Sequence, residues 1–157
     1  HVRLYESRLG PSCFARTHAG VRVIGLNSVI LGSGMPRERA QWTWLEKELA
    51  RPDPPPTVVL THFPPFEQKP EEESHEYWNI EREPRERLLR LLQQAGVKAV
   101  FSGHLHRDLT NQYEGMLLFT TRPVSFGLPK DKQPEGWTLV TVPARGPIQL
   151  EPRTLAR

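Results

Sequence analysis

Two short apolar runs that end in histidine stand out in the alternation of hydrophobic and polar residues along this chain. The first, 57–61, is rich in valine and is followed by His62 and, after one phenylalanine, by two prolines. The second, 97–102, leads through a glycine to His104 and His106. Apolar, β-branched runs of this length, bounded by glycine or proline, are typical of buried strands. The pattern therefore predicts two strands, each with histidine at its carboxyl end.

A helical pattern separates these two strands. Pro84 is expected in the first turn of this helix, and Gly96 is expected to end it in a left-handed conformation. Its buried face is predicted to consist of Leu88, Leu89, Leu91, Leu92 and Ala95. A strand–helix–strand unit favours a parallel strand pair with a right-handed crossover. Both histidine ends should therefore lie at one edge of a sheet.

The amino-terminal part of the chain shows a weaker pattern. Residues 1–20 have no stable period, which indicates a loop with one short strand. The apolar run 21–26 predicts a buried strand that ends at Asn27 and Ser28. A helix is then expected to begin near Pro36. Its apolar stripe is predicted to consist of Ala40, Trp42, Leu45 and Leu49, widened by Trp44.

The carboxy-terminal part is predicted to contain further strands. Three apolar runs indicate strands, which we expect to be antiparallel because their connections are short: 116–121, 137–142 and 148–151. Between them, 126–135 is expected to be a loop that reaches the rim of the histidine edge. The pattern as a whole predicts one α/β domain, residues 1–157, with a mixed sheet.

Composition narrows the possible functions. The 157 residues are 37% hydrophobic and 25% charged, as expected of a globular domain. The net charge is +3, and lysine and arginine are interleaved with glutamate, which weakly favours an anionic substrate and does not support a dedicated nucleic-acid-binding surface. Cys13 is the sole cysteine, so an internal disulfide is excluded. No apolar run approaches 18 residues, so no membrane-spanning helix is expected.

The three histidines at the predicted strand ends suggest a metal site. A single histidine at a strand end is more often a hydrogen-bonded surface or core residue than a ligand. Two separate strand-to-histidine junctions, one of them Gly-His-x-His, favour a shared site formed by His62, His104 and His106. Imidazole nitrogens suit zinc, manganese, iron, cobalt and nickel, and the sequence does not choose among these ions.

These motifs resemble the last two ligand motifs of calcineurin-like metallophosphoesterases. The matching segments are Val-Val-Leu-Thr-His62-Phe-Pro-Pro and, after a helix, Val-Phe-Ser-Gly-His104-Leu-His106-Arg. Tyr77-Trp78-Asn79 ahead of a basic helix makes the chain most similar to the calcineurin-like phosphoesterase domain-containing proteins. The resemblance covers roughly 21–142. It implies a four-layer αββα sandwich, of which this chain would hold the carboxy-terminal half.

The resemblance also implies roles for particular residues. His62 and His104 would bind one divalent ion of a binuclear pair, and His106 would bind the other. The ions would be manganese, iron, zinc or cobalt, and the substrate a phosphomonoester or phosphodiester. The strand end at Asn27 and Ser28 would lie near the site without supplying a ligand.

The polar stretch 66–83 is expected to form a loop over the site, because long loops next to candidate ligands are often functional. The residues expected to act as a substrate-binding lid are His75, Tyr77, Trp78 and Asn79, of which the resemblance supports Asn79 most. The acidic run 71–73 is interpreted as solvent-exposed. The arginines of the next helix, Arg82, Arg85, Arg87 and Arg90, are interpreted as a solvated face, with phosphate contact by one of them as the alternative.

Some family motifs are missing from the sequence. Members of the family carry Asp-x-His, Gly-Asp-x-x-Asp or Asn, and Gly-Asn-His near their amino-terminal ends, and none of these occurs here. Two functions therefore stay open: an incomplete metal-dependent phosphoesterase, or a non-catalytic module that holds at most one ion. A chain with mostly one sheet should expose an apolar face, so we expect a missing amino-terminal half or a second copy of the chain to cover it.

Overall fold

The computed structural model describes residues 2–73, 77–127 and 133–155. The helices are α1 (Val2–Leu9), α2 (Pro36–Leu49) and α3 (Arg82–Gln94), with a short 3₁₀ turn at Ser28–Ile30. The strands are β1 (Phe14–His18), β2 (Val21–Gly25), β3 (Thr57–Leu60), β4 (Ala99–Ser102), β5 (Leu109–Tyr113), β6 (Met116–Thr120), β7 (Gly136–Thr141) and β8 (Gln149–Thr154). None of the described helices is long and apolar enough to cross a membrane.

Six strands form a mixed sheet in the order β1-β2-β3-β4-β6-β5, and β7 and β8 form a separate antiparallel hairpin. The predicted parallel pair is confirmed: β3 lies parallel to β4, with Leu60 opposite Phe101. The expectation that β6 would be antiparallel to its neighbours was only half right. β6 is antiparallel to β5 but parallel to β4, because β5, which we did not predict, takes the sheet edge and leaves β6 beside β4.

One face of the sheet carries the hydrophobic core. Ile24, Val59 and Val100 from three adjacent strands belong to the same buried cluster as Leu88 and Leu92 of α3. Both leucines are completely buried, and burial of such a side chain stabilises a fold by about 1.5–3 kcal/mol. Gly96 has a φ of 67°, so the predicted left-handed end of α3 is present.

Helix α2 departs from its predicted apolar stripe. Ala40, expected on that stripe, is exposed, because it lies about 200° around the helix from Trp42. Glu38, one turn before Trp42, is buried in its place. Its carboxylate accepts hydrogen bonds from the backbone N–H of Gly32 at 2.7 Å and from the Trp42 indole at 3.1 Å. Hydrogen bonds of this kind make burial of a carboxylate tolerable.

The amino-terminal segment contains a helix where we expected a loop. Val2–Leu9 is helical, whereas the one short strand predicted for this region is present as Phe14–His18. None of the helical residues is buried. A helix that buries no residue against a core needs no apolar stripe. The sequence of this segment therefore lacks the strong helical period that would have predicted it.

The second face of the sheet is apolar, and the β7–β8 hairpin covers it only in part. Phe101 and Phe119 from the sheet and Trp137 from the β7–β8 hairpin line a groove of about 580 Å³ between the two. Trp137 is 46% exposed, and Leu60, which also lines the groove, is 39% exposed. Exposed apolar patches of this kind are common at interaction sites.

Candidate functional site

The parallel pair β3 and β4 brings two of the predicted ligands together. His62 follows β3 and His104 follows β4, and the register of the pair places both at the same edge of the sheet. Nε2 of His62 lies 3.1 Å from Nδ1 of His104, and the ring centroids are 4.8 Å apart. Two imidazole nitrogens that follow different strands therefore face each other within hydrogen-bonding distance.

His106 lies close by but does not complete a three-ligand cluster. Within the described part of the chain, no group of three or more histidine, cysteine, aspartate or glutamate side chains is placed to hold a metal ion. The Nδ1 atom of His106 is buried and has no hydrogen-bond partner. Its ring packs against the ring of Phe126, with centroids 4.8 Å apart. An unpartnered buried nitrogen is costly, and binding of a ligand would remove that cost.

Backbone hydrogen bonds on both sides fix the position of His62. Its N–H and that of Phe63 both donate to the side-chain oxygen of Ser28, each at 3.0 Å. Its carbonyl oxygen accepts the N–H of Gly103 at 3.1 Å. His62 is therefore held from the β2 side by Ser28 and from the β4 side by the glycine that precedes His104.

The turn that carries His104 and His106 has a strained backbone. Their φ values are 70° and 55°, in the left-handed region that costs a residue with a side chain about 1–2 kcal/mol. Leu105, 3% exposed, anchors the turn between them. Arg107 binds Glu67 at 2.9 Å, which ties the turn to the loop after β3. Strain of this kind persists where the surrounding structure fixes the chain, and it is common at functional sites.

The environment of His62 favours its neutral form. Although the His62 residue is exposed, partial desolvation of its ring lowers the pKa of the imidazole below its ordinary value, and the nearby His104 and His106 lower it further. A neutral imidazole has the free electron pair that a metal ligand needs. The donor chemistry of these histidines therefore fits a divalent transition-metal ion.

Two of the predicted lid residues lie on His104. The carbonyl oxygen of Tyr77 is hydrogen-bonded to Nε2 of His104. The ring centroids of Tyr77 and Trp78 lie 4.8 Å and 5.7 Å from that of His104. Both aromatic side chains are exposed, Tyr77 at 62% and Trp78 at 39%. They form a rim of exposed aromatic surface beside the histidine pair.

Asn79, the third predicted lid residue, is buried behind this rim. Its side-chain amide donates to the Glu72 carboxylate, which also accepts the backbone N–H groups of Glu67 and Gln68, both at 2.8 Å. The interpretation of the acidic run as solvent-exposed was therefore wrong for Glu72, which organises the loop, although it holds for Glu71 and Glu73. His75, the remaining predicted lid residue, lies outside the described residues.

The arginines of α3 are not all solvated as we expected. Arg85 is fully buried and donates to the backbone carbonyl of Glu72, with its Nη1 atom 3.8 Å from the Glu72 carboxylate. Arg87 is half-buried and stacks over the Trp42 ring at 4.3 Å. The helical pattern missed Arg85 because its partner lies 13 positions upstream in a loop.

Two residues at the site were not predicted to act there. Phe126, which packs on His106, lies in the loop expected at the rim, but its aromatic character gave no signal for this contact. Ser28 was expected near the site without being a ligand. The signal in the sequence was its position shortly after β2, which ends at the same edge of the sheet as the histidine strands.

Comparison with protein families gives one clear match. The model of the calcineurin-like phosphoesterase family matches residues 12–108. Among curated proteins, the serine/threonine-protein phosphatase CPPED1 of Danio rerio is 35% identical over 128 residues, which cover 78% of this chain and 41% of that protein. The probable cyclic nucleotide phosphodiesterase of Rhodococcus erythropolis is 33% identical over 99 residues, or 62% of this chain and 31% of that protein. The chain thus spans less than half the length of these relatives.

Solved structures show the same fold. A purple acid phosphatase from yellow lupin seeds matches with a TM-score of 0.61 at 17% identity, covering 90% of this chain and 30% of that one. The protein GAP50, an anchor in the inner membrane complex of Plasmodium, matches with a TM-score of 0.56 at 18% identity, covering 77% and 39%. The predicted fold class is confirmed.

Proposed function

This chain belongs to the calcineurin-like phosphoesterase family, and from that premise we propose that it supplies the carboxy-terminal part of a metal-dependent site that hydrolyses phosphomonoesters or phosphodiesters. The observation that supports this most directly is the 3.1 Å approach of His62 Nε2 to His104 Nδ1 at the sheet edge. The strained turn and the unpartnered nitrogen of His106 support it further.

The histidines would divide between two ions of manganese, iron, zinc or cobalt. His62 and His104 would hold one ion, and His106, through its unpartnered Nδ1 atom, would contribute to the second. Bound divalent ions supply Lewis-acid stabilisation of phosphoryl oxygens.

The carbonyl group of Tyr77 would fix the His104 tautomer that metal binding requires. A carbonyl oxygen can only accept, so the Nε2 atom of His104 carries the proton that it shares with the Tyr77 carbonyl. In a neutral ring the electron pair is then on Nδ1, the atom that faces His62. A metal-binding histidine commonly donates its other ring N–H to a carbonyl or carboxylate, which fixes the ring and its tautomer.

The loop residues would contact the substrate. Tyr77 and Trp78 present exposed aromatic surface next to His104, where the organic part of a phosphate ester could pack. We assign Asn79 and His75 to the same substrate-binding loop, Asn79 through its bond to Glu72 and by family resemblance, and His75 by its position in the sequence alone.

We propose that these residues do not make a complete site by themselves. Two divalent ions about 3.5 Å apart repel each other by roughly 19 kcal/mol at an effective dielectric of about 20. Neutral histidines contribute no negative charge against this repulsion. The missing carboxylate ligands would come from the part of the family domain whose motifs this sequence lacks.

The partner that completes the site would also cover the apolar groove. An amino-terminal half of the domain is our first choice, because it would supply ligands and a second sheet together. A second copy of the chain is the alternative, since it could cover the groove without supplying the missing carboxylates.

A non-catalytic role is the second candidate function. It is favoured by the absence, among the described residues, of any cluster of three metal-binding side chains. Such a module would keep the fold and hold at most one ion between His62 and His104.

Hydrolysis of an activated aryl phosphate with added Mn²⁺ distinguishes the two functions. The chain alone and a version extended upstream are compared, each with a His62→Ala variant. We expect little turnover by the short chain and turnover by the extended one that His62→Ala removes. An inactive extended chain that still folds and binds metal would favour the non-catalytic module.

A further inference from the structure

The backbone loses its pairing with β2 after the end of β3, and Ser28 compensates for the loss. The β2–β3 ladder ends with Gly25 opposite Leu60, followed by a last bond from Leu26 N–H to the Leu60 carbonyl at 2.9 Å. Beyond that point the N–H groups of His62 and Phe63 have no strand partner. Both donate to Ser28 Oγ at 3.0 Å.

We propose that Ser28 is a positioning residue for the candidate metal site: its hydroxyl oxygen fixes the backbone of His62 so that the imidazole meets His104. The geometry of this inference stands on the contacts of Ser28, and its relevance to metal binding rests on the proposed function. The two hydrogen bonds of Ser28 go to the backbone of His62 and Phe63, so it acts on the site through that backbone.

The position of Ser28 makes its effect on His62 direct. The N–H of His62 is held by Ser28 and its carbonyl oxygen by Gly103 at 3.1 Å, so both peptide groups that flank its α-carbon are anchored. Gly103 precedes His104, so the second anchor ties the backbone of His62 to the turn that carries His104. Releasing the Ser28 anchor would let the His62 peptide rotate while His104 stays in place.

A serine hydroxyl suits this task for three reasons. Its oxygen can accept two hydrogen bonds, which matches the two adjacent N–H groups. The side chain is short and only 2% exposed, so it occupies a fixed place at the start of the 3₁₀ turn. It is neutral, and an aspartate at the same buried position would have to bury a charge. Alanine would leave both N–H groups without an acceptor.

The chain contains a matched control for the loss of a buried hydroxyl. Thr57 is 4% exposed, lies at the opposite end of β3, and its hydroxyl donates to the Pro55 carbonyl at 2.9 Å. Thr57→Val removes that hydrogen bond without touching either histidine. Comparison with Ser28→Ala therefore separates an effect on His62 from a general loss of stability.

The first measurement needs no metal. Amide hydrogen exchange and through-space NMR contacts are recorded on the chain with a chelator present. We expect the His62 and Phe63 amides to be protected and the His62 and His104 rings to show a contact. In Ser28→Ala, protection of these two amides should fall at least tenfold and the ring contact should disappear, whereas Thr57→Val should keep both.

The second measurement is calorimetric titration with Zn²⁺ alone. Loss of residues that orient metal ligands typically lowers affinity by about 10–100-fold, and we expect a decrease in this range for Ser28→Ala. Thr57→Val should bind as the wild type does. Ser28→Thr, which keeps the hydroxyl, should recover most of the affinity.

The outcomes separate this inference from the proposed function. If the wild type binds no Zn²⁺ but Ser28→Ala loses the ring contact, the metal site fails and the positioning role stands. If Ser28→Ala keeps the ring contact and the affinity, the positioning role is overturned. If Ser28→Ala does not fold, hydrogen exchange of the wild type still tests the positioning role. That role would be overturned if the His62 and Phe63 amides of the wild type exchanged as fast as loop amides without a hydrogen bond.

Discussion

His62 and His104 meet through their ring nitrogens, Nε2 and Nδ1, at 3.1 Å, although 42 positions separate the two residues along the chain. Neither strand could form this pair alone. The parallel register of β3 and β4 brings the strand ends together, and the bond between Gly103 N–H and the His62 carbonyl joins the two turns directly. The pair is thus a property of the sheet and is expected to be lost when the sheet unfolds.

The lowered pKa of His62 predicts a dependence of stability on pH. Because partial desolvation of the ring and the neighbouring histidines lower the pKa of His62 below its ordinary value of 6.5, the unfolded chain binds the proton more readily than the folded chain. The stabilisation is therefore fully present above about pH 6.5 and is lost as the pH falls from there through the pKa of the folded state.

Urea unfolding between pH 5 and 8, with a chelator present, measures this effect. We expect the free energy of unfolding of His62→Gln to decrease less than that of the wild type as the pH falls. His18→Gln, which alters an exposed histidine on β1, should retain the wild-type slope. An identical slope in all three proteins would contradict the assignment.

Glu72 is predicted to stabilise the loop that carries Tyr77 and Trp78. Its carboxylate accepts several backbone N–H groups and the Asn79 amide, and it lies near the buried Arg85. Glu72→Ala leaves these donors without their acceptor, so we expect a loss of about 2 kcal/mol or more in the free energy of unfolding.

The neighbouring Glu73 provides the control. Its side chain is 87% exposed and makes a 3.6 Å ion pair with Arg82, so Glu73→Ala should change the free energy of unfolding by less than about 0.5 kcal/mol. Denaturant unfolding of both variants tests the difference. Equal effects would show that Glu72 does not organise the loop.

The apolar groove is predicted to bind a hydrophobic fluorescent dye or to drive self-association. Trp137 lines the groove and is 46% exposed, so Trp137→Lys should reduce dye binding and association. Val29→Lys, at an apolar position that is 61% exposed and lies outside the groove lining, should have no such effect. Sedimentation that shows a monomer at high concentration, together with no dye binding, would argue against an interaction surface here.

The sequence was sufficient to predict what depends on local pattern. The valine-rich run 57–61 and the leucines of α3 predicted a parallel strand pair, and Gly-His-x-His indicated where the candidate site lies. Apolar periodicity, a glycine and a proline carry this information directly. The family of the chain was recognisable from the same residues.

What the sequence did not reveal depends on contacts between distant residues. Burial of Arg85 follows from Glu72 in a loop 13 positions upstream, and burial of Glu38 follows from backbone donors in the preceding loop. Ser28 reaches the backbone of His62 across 34 positions. The hydrophobic and polar pattern of a sequence predicts that side chains of this kind are solvent-exposed. Only the tertiary structure shows which partner compensates for their burial.

Calorimetric titration with Zn²⁺ or Mn²⁺ tests most directly whether the converging histidines form a metal site. The wild type is compared with a double variant, His104→Ala with His106→Ala, and with His18→Ala as the control for loss of an exposed histidine. We predict that the wild type and His18→Ala bind a divalent ion and that the double variant binds none. Unchanged uptake by a folded double variant would contradict the site.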